Sequence, residues 1–355
     1  MTERVVVVCP GRGSYTEGEL GWLSRHYCPP QARQELDAAI DRFDAQRQAG
    51  GDLGIREMDA SERFSARLLK GENASPLIFA CTALDFARLD PDKCRVVGVL
   101  GNSMGWYSSL YCAGVFGPDD ALNIIETMGG SQRAGITGGQ LMYPLVRHRD
   151  WQHDPEQETQ LRAGLASVRA VGHRVGVSIK LGGFAVLWGD EQGIRSLLEE
   201  LPMVKMGGRE YPFRLLFHAA FHSPLLNQVS RMGLEQLIDL PWRAPSIPLI
   251  DGRGSQFRPL LTAPDALYKY TLGNQVTDTY DFSASIRTAV REYAPDRIVL
   301  LGPGEGLGGA IAHVLIKEKW QGIRNKQDFF ARQKNDPFLI SMARENQAAL
   351  VATQG

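Results

Sequence analysis

The sequence predicts an α/β protein: a mostly parallel sheet covered on both faces by helices, with a smaller α/β unit inserted in it. Three observations carry this. Apolar runs such as Val5-Val6-Val7-Val8 and Ile298-Val299-Leu300-Leu301 show no alternation, as strands buried on both faces do. Gly101-Asn102-Ser103-Met104-Gly105 directly follows another such run and precedes a helical pattern that begins at Trp106. Strand, tight Gly-x-Ser-x-Gly turn and helix make the arrangement of a nucleophile elbow. From Gly138 the texture changes to short elements in the order βαββαβ, which is ferredoxin-like.

Residues 4–9 form the first buried strand, and Pro10-Gly11-Arg12-Gly13-Ser14 is a backbone-rich loop after it. Residues 31–48 have amphipathic helical spacing closed by Gly50-Gly51. Helices are expected over 61–70 and 76–89, then, past the elbow, over 118–133, where Pro118-Asp119-Asp120 is a good helix start. In the inserted unit, strands at 141–146, 175–181 and 184–188, helices at 155–171 and 191–201, and a last strand within 204–217 complete the pattern. The larger pattern resumes with a helix over 223–239, a strand at 247–250, a helix over 281–293, a strand at 297–301 and a helix ending at Lys317. The expected division is residues 1–136 and 207–320 for the large subdomain, 137–206 for the small one, and 321–355 for a polar C-terminal extension.

A chain of 355 residues has room for one large domain or two ordinary ones. The net charge of −1 supplies no basic field for nucleic acid or an anionic membrane. No apolar run reaches the ~18 residues of a membrane span. Four valines near the N-terminus are too short for a signal-peptide core, so a cytoplasmic location is expected. Five cysteines, an odd number without Cys-x-x-Cys spacing, read as reduced and mostly buried thiols.

An elbow places the Ser103 hydroxyl at a helix N-terminus, where free N–H groups and the helix dipole favour a developing oxyanion. Such a serine points to acyl chemistry and needs a base. Among seven histidines, His222 stands out, at a strand-to-helix junction in Phe221-His222-Ser223-Pro224-Leu225. A histidine that merely starts a helix is the competing account. His218 and His222 have metal-binding spacing for a helix, but the segment reads as strand and loop and no third ligand is evident, so no metal is expected. Gly304-x-Gly306-x-x-Gly309 matches a dinucleotide pattern, yet no second βα unit follows it; a tight turn over a helix start accounts for it better.

Five blocks occur in one order: Pro10-Gly11-Arg12-Gly13-Ser14, Gly101-Asn102-Ser103-Met104-Gly105, Ala113-Gly114-Val115-Phe116, Phe221-His222-Ser223-Pro224-Leu225 and Leu301-Gly302-Pro303-Gly304. Together they resemble the malonyl-CoA:acyl carrier protein transacylase family, which includes the acyltransferase domains of polyketide synthases. The resemblance spans residues 4 to 317. It implies an α/β-hydrolase-like core with an inserted ferredoxin-like subdomain. It also implies Ser103 as nucleophile, His222 as general base, and an oxyanion hole of the Arg12 and Met104 backbone N–H groups. The second ring nitrogen of His222 would be oriented by a backbone carbonyl near Asp251 or Gly252. Acyl-CoA and an acyl carrier protein would be the partners, and no cofactor beyond the CoA thioester is implied.

The chain departs from the family at several points. Asn102 stands for the usual histidine of the elbow and Trp106 for a glutamate. Arg12 replaces a glutamine, which leaves a backbone donor in place. Counted without gaps, Met128 occupies the place of the arginine that pairs with a malonyl carboxylate. Without that partner an uncharged acyl group is expected, with Met128 lining an apolar pocket. Arg12 and Arg133 are the alternative cations; Arg12 is the better placed but would need its side chain folded into the cleft. Lys180 is a candidate contact for CoA phosphate or a carrier's acidic helix, with a solvated surface lysine as the alternative. An acyl hydrolase acting on carrier proteins and a weakly active synthase-docking protein remain the competing functions.

Overall fold

The computed structural model describes residues 2–353. Among these, twelve strands form three sheets. They are β1 (Glu3–Cys9), β2 (Cys94–Gly101), β3 (Gly139–Pro144), β4 (Val175–Leu181), β5 (Phe184–Gly189), β6 (Val204–Met206), β7 (Arg209–Tyr211), β8 (Phe213–Arg214), β9 (Leu249–Ile250), β10 (Gln256–Phe257), β11 (Arg297–Leu300) and β12 (Leu339–Ser341).

The main sheet has the order β10-β9-β2-β1-β11-β12 and is parallel except for β10. Val5, Val6, Val7 and Val8 of β1 are fully buried between β2 and β11, which explains the unbroken apolar run. Because β1, β2 and β9 are parallel, the loops that follow them emerge on one edge, the edge where open α/β sheets bind ligands.

The inserted sheet has the order β4-β5-β3-β8, antiparallel throughout. Helices Pro155–Ala170 and Glu191–Glu200 cover it, burying Leu161, Leu165, Ile194 and Leu197 with Leu141, Tyr143 and Leu187. The single strand expected within 204–217 is instead three short ones. β6 and β7 pair as a separate hairpin turning at Gly207-Gly208, and β8 alone joins β3.

Three further elements differ from expectation. Residues 61–70 contain one 3₁₀ turn, Ala66–Leu69, in place of a helix. The helix expected to start at Pro76 begins at Gly71 and runs to Ala87 with the proline inside it. Proline removes the bond that the Glu72 carbonyl would accept, and the buried Arg47 guanidinium donates to that carbonyl instead, at 2.9 Å. The polar C-terminal segment adds β12 to the main sheet edge, where Phe338, Ile340 and Met342 are fully buried. All five cysteines are buried and unpaired. No helix among the described residues is long and apolar enough to cross a membrane.

Candidate active site

Ser103 follows β2 with φ of 56°, the left-handed conformation of an elbow nucleophile. Steric crowding dictates its neighbours. A Cβ on Gly101 would lie 2.1 Å from the Gly105 carbonyl, and one on Gly105 would lie 2.3 Å from the Cys9 carbonyl oxygen. Helix Gly105–Cys112 begins immediately after the turn. The Arg12 and Met104 N–H groups have no hydrogen-bond partner among the described residues, so both remain free to donate.

The structure brings His222 to Ser103, with 2.7 Å between Nε2 and Oγ. His222 Nδ1 lies 2.6 Å from the Gln275 carbonyl oxygen. This corrects the expected acceptor near Asp251 or Gly252. Those two carbonyls are already taken, by the Ser285 hydroxyl at 2.6 Å and the Asp281 N–H at 2.5 Å. Gln275 also ties down the elbow: its Nε2 donates to the Ser103 carbonyl at 3.1 Å, and its Oε1 accepts from the Tyr107 hydroxyl at 3.0 Å. It follows a π-helical turn, Tyr270–Asn274, in a stretch with no element expected from sequence.

His222 itself has φ of 55°, and its segment is held by hydrogen bonds rather than by a helix. Ser178 Oγ donates to the Phe221 carbonyl at 2.7 Å, Gln140 Nε2 donates to Ser178 Oγ at 2.6 Å, and Gln140 Oε1 meets His218 Nδ1 at 2.9 Å. His218 is thereby engaged away from His222. Burial pushes the His222 imidazole down to about 4, against the raising effect of its bond to Gln275. It is therefore neutral at neutral pH.

A narrow cavity of about 50 Å³ opens at Ser103. Its apolar walls come from Tyr107, Ile125, Met128, Leu226, Val229 and Val276. Met128 is thus brought to the same cavity as Ser103. Arg12 lines the same cavity and also a neighbouring pocket with Glu72 and Phe217; its Nη2 donates to the Leu69 and Phe217 carbonyls at 2.9 and 2.8 Å, and the guanidinium lies over the Phe221 ring. Arg133 faces elsewhere, paired with Asp52 and Glu126. Trp106 points into the core, fully buried, with Nε1 donating to Thr271 Oγ1 at 3.0 Å. Asn102 is buried beside the turn and outside the cavity lining. Lys180 is not brought to the cavity; it is exposed on β4 and pairs with Asp281 at 2.9 Å.

No protein-family model matches the chain. It is 26% identical over 316 residues to the phenolphthiocerol synthesis polyketide synthase type I Pks15/1 of Mycobacterium marinum, a match over 88% of this chain. The chain spans only 14% of that synthase's length. It is 22% identical over 320 residues to the malonyl CoA-acyl carrier protein transacylase of Staphylococcus aureus, covering 87% of this chain and 97% of that protein. The crystal structure of an acyl-carrier-protein S-malonyltransferase from Burkholderia pseudomallei superposes with a TM-score of 0.73 at 20% identity, over 98% of this chain and 99% of that one.

Proposed function

On a chain that shares the fold of the malonyl-CoA:acyl carrier protein transacylases and resembles them in sequence, we propose that Ser103 carries an acyl group from a CoA thioester to the phosphopantetheine thiol of a carrier protein. The observation that carries this reading is the 2.7 Å contact between Ser103 Oγ and a buried, neutral His222. His222 Nδ1 keeps its hydrogen on the Gln275 carbonyl, so Nε2 presents its lone pair to the serine.

In the first half-reaction Ser103 Oγ attacks the thioester carbonyl and its proton passes to His222 Nε2. The tetrahedral oxyanion sits between the Arg12 and Met104 N–H groups, a stabilisation of ~3 kcal/mol per donor. Collapse breaks the C–S bond, His222 returns the proton to the leaving sulfur, and free CoA departs from acyl-Ser103. In the second half the pantetheine thiol gives its proton to His222 and attacks the ester. Serine leaves protonated and the cycle closes.

The competing hydrolase uses the same first half and lets water resolve the ester. One experiment separates the functions. The protein is incubated with a panel of acyl-CoAs, acyl-Ser103 is followed by intact mass, and carrier protein or buffer is then added. Transfer to the carrier is the expected result. Rapid loss to buffer would identify a hydrolase, and no adduct with any donor would favour a docking protein.

The pH dependence of loading follows from His222, which accepts a proton only when neutral. Its pKa of about 4 lies below the ordinary histidine value, so the neutral form persists as pH falls through 6 and 5. Loading should stay flat down to pH ~5 and fall about tenfold per unit below ~4. An acid limb near the unperturbed histidine pKa of ~6.5 would contradict this assignment.

A further inference from the structure

A second cleft lies away from Ser103, between the inserted sheet and the helices Phe282–Tyr293 and Gly308–Lys317. It measures about 620 Å³ against the 50 Å³ at Ser103, and the two share no lining residue. β4 stands between them. Its Ser178 hydroxyl holds the Phe221 carbonyl beside His222, whereas Val177 and Lys180 line the cleft. The floor of the cleft is apolar, formed by Trp151, Leu161, Leu165, Val177, Phe184 and Ile316.

The rim is cationic, although the whole chain carries a net charge of −1. Six Lys and Arg side chains line the cleft against two carboxylates. Both carboxylates are engaged: Glu158 meets Arg162 and His153, and Asp281 meets Lys180. Arg287 has a partner of its own in Glu318. Lys317, Lys319 and Arg324 are exposed and make no ion pair among the described residues. Three like charges on one rim, with no carboxylate to offset them, draw anions to it. His313 adds a donor beside the floor. Its Nδ1 accepts the Gly183 N–H at 3.1 Å, so the neutral ring carries its hydrogen on Nε2, and Nε2 has no partner among the described residues. Burial pushes this imidazole down to about 4, which keeps it neutral at neutral pH. Lys317 follows His313 by four residues on the same helix, so the ammonium and the N–H share one face.

We propose that this cleft binds a single-chain anionic amphiphile, a hydrocarbon chain ending in a carboxylate. The chain lies along the apolar floor, and the head group sits among Lys317, Lys319 and Arg324. The site is separate from Ser103 and does not depend on the acyl-transfer reading. Such a ligand answers both halves of the cleft: its hydrocarbon leaves water against the floor, and its carboxylate meets cations that the chain itself leaves unpaired. An uncharged chain would leave the rim without a counter-ion, and a small anion would leave the floor wet.

The test follows binding of ω-bromododecanoate to the full chain, below the critical micelle concentration. Bromine quenches tryptophan fluorescence at short range, and of the six tryptophans Trp151 alone lines the cleft. Saturable quenching is expected. Trp151→Phe should remove most of it, while calorimetry gives an affinity within about threefold of the parent. The uncharged ω-bromododecanol and the short-chain butyrate should each bind at least about 30-fold more weakly. Lys317→Glu with Lys319→Glu changes two exposed positions, leaves the fold intact, and should weaken binding at least about tenfold. Ser103→Ala should bind with the parent's affinity. Absence of saturable binding would overturn the proposal, and so would equal affinity for the alcohol or indifference to the charge reversal. Quenching that persists in Trp151→Phe, or binding that is lost in Ser103→Ala, would place the ligand elsewhere and overturn it too. If circular dichroism shows Trp151→Phe unfolded, the charge-reversed pair decides alone: a loss of at least about tenfold supports the site, and an unchanged affinity overturns it.

Discussion

Alanine at Ser103 is expected to abolish the acyl adduct and to lower carrier acylation by about 10⁴-fold or more, leaving only the weak catalysis that binding and the oxyanion donors supply. The loss is large because the serine and His222 act as one unit. His222→Ala should therefore cost nearly as much, and the double variant little more than either single one. Stability should hardly change. The Ser103 hydroxyl has His222 as its one hydrogen-bond partner among the described residues, and alanine takes the φ of 56° with the same strain as serine. Thermal unfolding of Ser103→Ala should thus fall within a few degrees of the parent, which separates loss of chemistry from loss of fold. An adduct that survives in Ser103→Ala would show that another residue carries the acyl group.

How much of this site the sequence discloses depends on how local each requirement is. The elbow is legible because its steric demand leaves a five-residue signature: Gly101 has no room for a side chain against Gly105, and Gly105 has none against the Cys9 and Pro10 carbonyls. The helices and strands of the inserted unit are legible because their apolar periodicity faces a core of their own. Gln275 is not legible. Its carbonyl orients His222, and any residue supplies a carbonyl; only the π-helical turn before it decides which one arrives. The side chain of Arg12 is equally hidden. The family resemblance implies its backbone N–H at the oxyanion, but the carbonyls that hold its guanidinium belong to Leu69 and Phe217, far along the chain. β12 is three residues long, too short for periodicity to announce, and it exists because β11 offers a free edge. Pro76 misleads in the other direction, since the arginine that compensates for it sits on a different helix.

Gly105→Ala sets two opposed effects against each other, and their magnitudes decide the sign. Alanine is the better helix former by about 1 kcal/mol, and position 105 opens helix Gly105–Cys112. Its Cβ, however, would lie 2.3 Å from the Cys9 carbonyl oxygen and 2.6 Å from that of Pro10. These atoms cannot recede, because β1 is clamped between β2 and β11. Overpacking against fixed backbone costs roughly 1–3 kcal/mol or more, so the net effect should be a destabilisation of about 2 kcal/mol, read from the urea midpoint. The helix must instead shift outward and take the Ser103 turn with it, away from His222 and from the Arg12 loop that continues β1. A misplacement of ~1 Å at a reacting atom costs on the order of 10²-fold, so acyl loading should fall by about that factor even in the folded fraction. Gly309→Ala supplies the contrast. Gly309 lies in helix Gly308–Lys317 with nothing within 4 Å of a Cβ, so only the propensity gain acts and the protein should gain about 0.5–1 kcal/mol with loading unchanged. If the two alanines shift the urea midpoint in the same direction, close approach of helix to strand is not what dictates glycine at the elbow.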